Sequence, residues 1–186
     1  MKKNNQKEQL ISTLLKALGE DPNRDGLLET PSRVVKSWEE LFSGYKSNPA
    51  EVFKTFEADG YDELVLLKDC EFFSTCEHHM LPFYGRAHIA YIPNKKVIGL
   101  SKLARLLEIY SRRLQIQERI GLQVVSALMR NLKCRGAACI IEAEHFCMRA
   151  RGVEKQNSLV VTSSLAGAFK KNPLTRAELM GLIGWR

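Results

Sequence analysis

The 186-residue sequence has no long uninterrupted apolar run, so no segment reads as a membrane-spanning helix and no membrane partner is expected. Met1-Lys2-Lys3 carries the charge of a secretory leader, but Asn4-Asn5-Gln6-Lys7-Glu8 stands where its apolar segment belongs. A cytoplasmic location is the expectation. There is no Lys/Arg tract, no RGG repeat and no alternation of aromatic with basic residues, the devices of nucleic-acid binders. The net charge of +7, from 28 basic and 21 acidic residues, therefore points to a small phosphate ligand and not to nucleic acid. Cysteines are few and odd in number, five. A disulfide framework does not fit that count or a reducing compartment. No internal repeat, low-complexity tract or interdomain linker interrupts the chain. A hydrophobic content of 45% is enough for one domain with a substantial core.

What the sequence does contain is clustered. Cys76-Glu77-His78-His79 forms one group and His145-Phe146-Cys147 another, with a stretch rich in Lys, Arg, Gln and Glu between them. Cys70, Cys134 and Cys139 sit apart from the histidines and read as small buried residues. His88, inside a strand pattern, reads as structural.

Apolar spacing predicts the elements. Leu10, Ile11, Leu14, Leu15 and Leu18 recur at helical period, and Gly19 can stop that helix. Thr30-Pro31 reads as an N-cap followed by a first-turn proline, with Val34, Val35, Trp38, Leu41 and Phe42 as the apolar face and Gly44 ending the run. Residues 64–74 and 83–93 read as strands. Ser101 reads as the cap of a helix carrying Leu103, Leu106, Leu107 and Tyr110, followed by a second helix with Ile120, Val124, Leu128 and Leu132. Residues 137–149 and 158–164 alternate like paired strands. Thr175-Arg176-Ala177-Glu178 reads as a capping box opening a last helix. Helices, strands, two helices and strands in that order predict an α+β fold.

On a strand over 137–149, His145 and Cys147 share one face about 7 Å apart, at about 3.3 Å rise per residue. Cys139 shares that face but is too distant to be a ligand. A helix-like turn at the first cluster puts Cys76 and His79 on one side. Cys76, His79 and Cys147 are then three metal ligands. Thiolates with imidazole favour zinc, and three protein ligands leave a position for water, as in catalytic sites. A structural site would take a fourth ligand, which His78 or His145 could supply.

Ser101-Lys102 at a helix start suits a phosphate, with Arg105 one turn onward and Arg151 just beyond the second cluster. Arg33 and Lys36 can point the same way from their helix. Each of these cations is also an ordinary solvated surface charge when taken alone. Gln117-Glu118 lies near a helix start. Glu118 can complement the helix dipole there. Alternatively its carboxylate can accept two N–H bonds from a guanine-type edge while the Gln117 amide adds polar contacts.

Taken together, these residues resemble the GTP cyclohydrolase I family along nearly the whole chain. The resemblance rests on Gly19–Leu28, Glu40–Gly44, Ser74–His79, Val97–Arg105, Gln115–Arg119, Glu144–Gly152 and Thr175–Glu178. It implies the tunnelling fold, in which antiparallel sheets and helices of many subunits form a barrel. An N-terminal helical region over 1–50 would precede a catalytic domain over 51–186. It implies conversion of GTP and water to 7,8-dihydroneopterin triphosphate and formate, the entry to folate and other pterins, in a homo-oligomer that is typically a decamer. The family's zinc ligands fall on Cys76, His79 and Cys147, and its catalytic histidines on His78 and His145. Its guanine-anchoring pair falls on Gln117 and Glu118. Its triphosphate contacts fall on Ser101, Lys102, Arg105 and Arg151, with Arg33 and Lys36 reaching from a neighbouring subunit.

Such chemistry begins at C8 of the guanine imidazole ring, where hydration needs a proton delivered to ring nitrogen. His145 is the expected donor, and His78 the candidate for later transfers. Two other readings remain at this stage. One is an enzyme of the same fold that reduces a nitrile on a deazaguanine, which needs neither the Cys/His triad nor a triphosphate pocket. The other is a zinc-stabilised nucleic-acid-binding module without catalytic activity.

Overall fold

The computed structural model describes residues 2–184. Met1, Trp185 and Arg186, at the outer ends of the two expected domain spans, lie outside the described residues. The chain divides after Ser43 into two compact units.

The N-terminal unit is built from α1 (Lys2–Ala17) and α2 (Thr30–Leu41). α1 ends two residues before Gly19, whose φ of +89° reverses the chain, as the sequence predicts. Of its apolar stripe only Ile11 is buried, while Leu10, Leu14 and Leu18 are exposed within the chain. α2 corrects the expected cap. Thr30 is already helical, and Glu29 precedes it without a side-chain capping bond. Pro31 suits the first turn, where a missing N–H costs no helix hydrogen bond.

The second unit holds β1 (Thr55–Glu57), β2 (Val65–Cys76), β3 (Pro82–Ile92), β4 (Lys96–Ile98), α3 (Leu100–Ser111), β5 (Leu114–Gln115), α4 (Gln117–Asn131), β6 (Gly136–His145), α5 (Phe146–Arg149), β7 (Val160–Gly167), α6 (Ala168–Lys171) and α7 (Pro173–Ile183). The fold is α+β, as expected. Five strands form one sheet in the order β5-β2-β3-β6-β7, antiparallel except for the short β5 alongside β2. β1 and β4, too short to announce themselves by alternation, pair separately.

Alternation along β3 and β6 sorts the core into two layers. Ala87, Ile89, Tyr91, Ala137, Cys139, Ile141 and Ala143 pack with Leu103, Leu106, Leu107, Ile120, Val124 and Leu128 of α3 and α4. On the opposite face Ala90, Ile92, Ala138 and Ile140 are covered by Phe169, Leu179 and Ile183. Two close approaches, one to backbone and one to a side chain, hold neighbouring elements together. A Cβ on Gly85 would lie 1.9 Å from the Glu142 carbonyl oxygen, and one on Gly121 would lie 2.7 Å from Ser164 Oγ. Glycine is therefore what lets β3 meet β6 and α4 lie against β7.

Three further expectations are corrected. Gly99, not Ser101, caps α3, and Ser101 is exposed inside the first turn. α7 starts at Pro173 and is capped by the Asn172 side chain, which accepts from the Leu174 N–H at 2.9 Å, so Thr175 opens no capping box. β6 ends at His145, and Cys147 lies in a helical turn instead of on a strand running to 149.

Candidate active site and metal centre

β2 ends at Cys76 and β3 begins at Pro82, and the connection between them is a tight closed loop. The Cys76 N–H donates to the Leu81 carbonyl and the Met80 N–H to the Cys76 carbonyl, each at 2.8 Å. Met80 takes a φ of +54°, which turns the chain back into β3. This one turn sets Cys76 and His79 on the same side, as three-residue spacing predicts. Cys147 reaches them by another route. The chain leaves β6 at His145 and coils, with the Ala150 N–H bonded to the Phe146 carbonyl. One ligand atom each from Cys76, His79 and Cys147 lies within 4.8 Å of the others.

These three donors suit a soft or borderline divalent ion. Burial and the neighbouring Cys76 thiol both push the Cys147 thiol up from its ordinary range. A thiol that close to a second sulfur favours a cation beside it, so the placement of Cys147 next to Cys76 fits a metal ion. Cys76 is buried, Cys147 half-buried and His79 exposed, so solvent reaches the centre from the His79 side. His78 Nδ1 lies 3.9 Å from Cys76 Sγ, and an Arg151 guanidinium nitrogen lies 3.1 Å from His79 Nε2.

His145 ends β6 opposite Phe83 of β3. That register stacks the two rings at 4.5 Å between centroids and 5° between planes. Gln117, the first residue of α4, is buried and holds the edge of the imidazole, with its Oε1 2.8 Å from His145 Nε2. Burial pulls the His145 pKa below its ordinary value, opposed by the negative charge of Glu118. Glu118 is exposed beside it at the helix start. The Gln117 amide is hydrogen-bonded within the protein, through Nε2 to Ile141, Val160 and Thr162 and through Oε1 to His145.

Glu77 links the ligand turn to the same helix. Both of its carboxylate oxygens bind the Arg119 guanidinium, with Arg119 Nη2 at 3.0 Å from Oε1. This pair holds the Glu77 carboxyl below its usual range. Its backbone N–H donates to the Gln115 carbonyl at 3.0 Å. Neither the Glu77–Arg119 clamp nor the Phe83 stack is signalled by spacing, because both depend on elements distant in sequence.

Ser101, Lys102 and Arg105 occupy the first turns of α3, which packs along β2. Ser101 and Arg105 are exposed and Lys102 half-buried. Arg33 and Lys36 are exposed on α2 in the N-terminal unit, where Arg33 pairs with Glu29. Outside the site, His88 is buried, accepting from the Asp69 N–H at 3.2 Å, with Nε2 3.3 Å from Glu142. Burial pushes the Cys139 thiol up to about 12 and the Cys134 thiol to about 11, as inert core cysteines require. Cys70 is half-buried, more open than expected.

Known proteins bear on this arrangement. The model of the GTP cyclohydrolase I family matches residues 7–184. The chain is 52% identical over 178 residues to GTP cyclohydrolase 1 of Campylobacter jejuni strain 81-176, covering 95% of this chain and 93% of that one. It is 52% identical to the enzyme of the same name from Wolinella succinogenes over 177 residues, 95% of each chain. The counterpart from Dehalococcoides mccartyi strain CBDB1 is also 52% identical, over 95% of this chain and 94% of that one. The Cys76-His79-Cys147 cluster and a match over almost every described residue agree: this chain belongs to the GTP cyclohydrolase I family.

Proposed function

We propose that this chain converts GTP and water to 7,8-dihydroneopterin triphosphate and formate. The observation that carries the reading is the family match over residues 7–184, joined to the Cys76-His79-Cys147 cluster. Cys76, His79 and Cys147 would hold zinc, which their two thiols and one imidazole favour over harder ions. When bound, zinc supplies a Lewis acid and lowers the pKa of water towards about 7.

The protein's own groups do the rest. Glu118 accepts from N1–H and the exocyclic amino group of guanine, setting the base against the start of α4. His145, held at the adjoining position, delivers a proton to the imidazole ring nitrogen as C8 is hydrated. A second hydrolysis then releases C8 as formate. His78, adjacent to His79, serves later proton transfers while the ribose opens and the pterin ring closes. Ser101, Lys102, Arg105 and Arg151 bind the triphosphate, the charge-assisted contacts that a tetra-anionic substrate needs. Gln117 belongs with Glu118 to the guanine site.

The N-terminal helical region, 1–50, would lend Arg33 and Lys36 to the triphosphate site of a neighbouring subunit, and 51–186 would supply the remaining residues. The working form is a homo-oligomer, a decamer whose sheets close a tunnelling-fold barrel, in the cytoplasm. No described helix is long and apolar enough to cross a membrane. Incubation with GTP and zinc, followed by assay of formate and of a fluorescent oxidised pterin, tests the reading. Both products should appear in equal amounts. GTP consumption without formate would overturn it.

A further inference from the structure

Gln117 is 1% exposed, yet it carries a polar side chain at the edge of the site. A buried amide persists only when its hydrogen bonds are made. Its Nε2 lies 3.0 Å from the Ile141 carbonyl, 2.9 Å from the Val160 carbonyl and 3.1 Å from Thr162 Oγ1. Two of these partners are carbonyls, which only accept. This end of the amide must therefore be the NH₂, and a flipped amide would set its oxygen against two others. The amide oxygen is thereby aimed at His145 Nε2, 2.8 Å away. That oxygen can only accept, so Nε2 must carry a hydrogen. Phe83, fully buried and stacked on the imidazole, fixes the plane of the ring. The other ring nitrogen, Nδ1, has no hydrogen-bond partner among the described residues.

We propose that Gln117 is a positioning residue that holds His145 with Nε2 hydrogen-bonded inward, so that Nδ1 is the atom through which protons pass to and from the substrate. The inference rests on the reading of His145 as the proton donor. β6, β7 and α4 each contribute to the device: Ile141 on β6 and Val160 and Thr162 on β7 orient the amide, and α4 carries it. The residue that follows, Glu118, lies on the same helix turn. One turn of α4 thus sets both the imidazole and the proposed base-reading carboxylate. A histidine held in the wrong tautomer can cost a hydrolase up to about 10⁴-fold in turnover.

The test uses the zinc-loaded full-length protein labelled with ¹⁵N-histidine. With four histidines in the chain, the His145 signals are identified by their loss in His145→Ala. At a pH where the ring is neutral, they should show a protonated Nε2 and an unprotonated Nδ1. Gln117→Met, similar in length but without hydrogen bonds, should remove that preference. Its kcat should fall on the order of 10–10²-fold, with KM for GTP held within about threefold and zinc retained. In a His145→Ala background the same substitution should cost nothing further, because a positioning residue acts only through its partner.

A proton on Nδ1 in the wild-type protein would overturn the proposal, and that spectrum decides even where Gln117→Met does not fold. An equal loss of kcat with and without His145 would also overturn it, by making the role of Gln117 purely structural. Full turnover in His145→Ala would remove the proton path altogether. Absence of GTP turnover in the wild type, with the expected spectrum, would count against the proposed function and not against the clamp.

Discussion

The turn at Cys76 shows how little sequence a candidate metal site needs. Cys76 and His79 are brought together by two hydrogen bonds and one residue of positive φ, Met80. Cys147 completes the set from a separate helical turn. Removing one of three donors should abolish tight binding, so Cys147→Ala is expected to lose its zinc and its activity while keeping most of its circular dichroism. Stoichiometric zinc by elemental analysis in that variant would show that the ligand set is different. Glu118 carries a separate expectation. Its carboxylate matches the donor pair of guanine, whereas adenine has no such pair, and mismatches in a hydrogen-bonding site can cost on the order of 10⁴-fold. Glu118→Gln should weaken GTP binding and retain zinc, as read by calorimetry with a slowly reacting analogue. Unchanged affinity would place base recognition elsewhere.

At the scale of elements, the site is held where β2, β3, β6 and α4 converge. The Glu77–Arg119 pair ties the ligand turn to α4, the helix that also carries Gln117 and Glu118. Arg119→Ala should leave the three ligands in place but loosen their turn. Zinc should then pass to a competing chelator roughly 10–100-fold more readily, the usual effect of removing a group that orients ligands. An unchanged transfer would show that the β2–β3 connection is rigid without the clamp. The β3–β6 pairing that stacks Phe83 on His145 depends on Gly85, where a Cβ would meet backbone at 1.9 Å. Gly85→Ala should destabilise the protein by at least about 1–3 kcal/mol, the range for overpacking. Thermal denaturation at unchanged zinc content would measure it, and a melting temperature equal to wild type would mean that the strands separate without cost.

For the whole molecule, the described surface carries apolar groups that a lone chain leaves to solvent. Leu10 and Leu14 lie along α1 and Leu18 just past its end, and Leu122 stands out from α4. The proposed oligomer would cover surface of this kind and would let Arg33 and Lys36 serve a neighbour. Light scattering at micromolar concentration should give a mass several times 21.1 kDa. Mixing Arg33→Ala/Lys36→Ala chains with His145→Ala chains should restore part of the activity, since some sites would combine intact halves. A fully active monomer would defeat the shared-site proposal.

Local rules made much of this protein legible in its sequence. The helical stripes of α3 and α4, the strand patterns of β2 and β3 and the three-residue spacing of Cys76 and His79 all follow from periodicity, which acts over a few residues. The family motifs carried the activity and named the same ligand trio. The tertiary structure decided what periodicity cannot encode. Alternation continues in the sequence through Cys147, but β3 begins at Pro82, which the register sets opposite Phe146 and which has no N–H to donate, so β6 stops at His145 and no residue of β3 lies opposite 147–149. Ser101 and Thr175 looked like caps by residue type, whereas the caps went to Gly99 and Asn172, where the backbone is extended before the helix begins. Gln117 reads as an amide able to add polar contacts, and the meeting of α4 with β6 and β7 supplies the partners it has within the protein. In each case the deciding contact joins residues far apart in the chain, and its energy depends on a register that no short window of sequence contains.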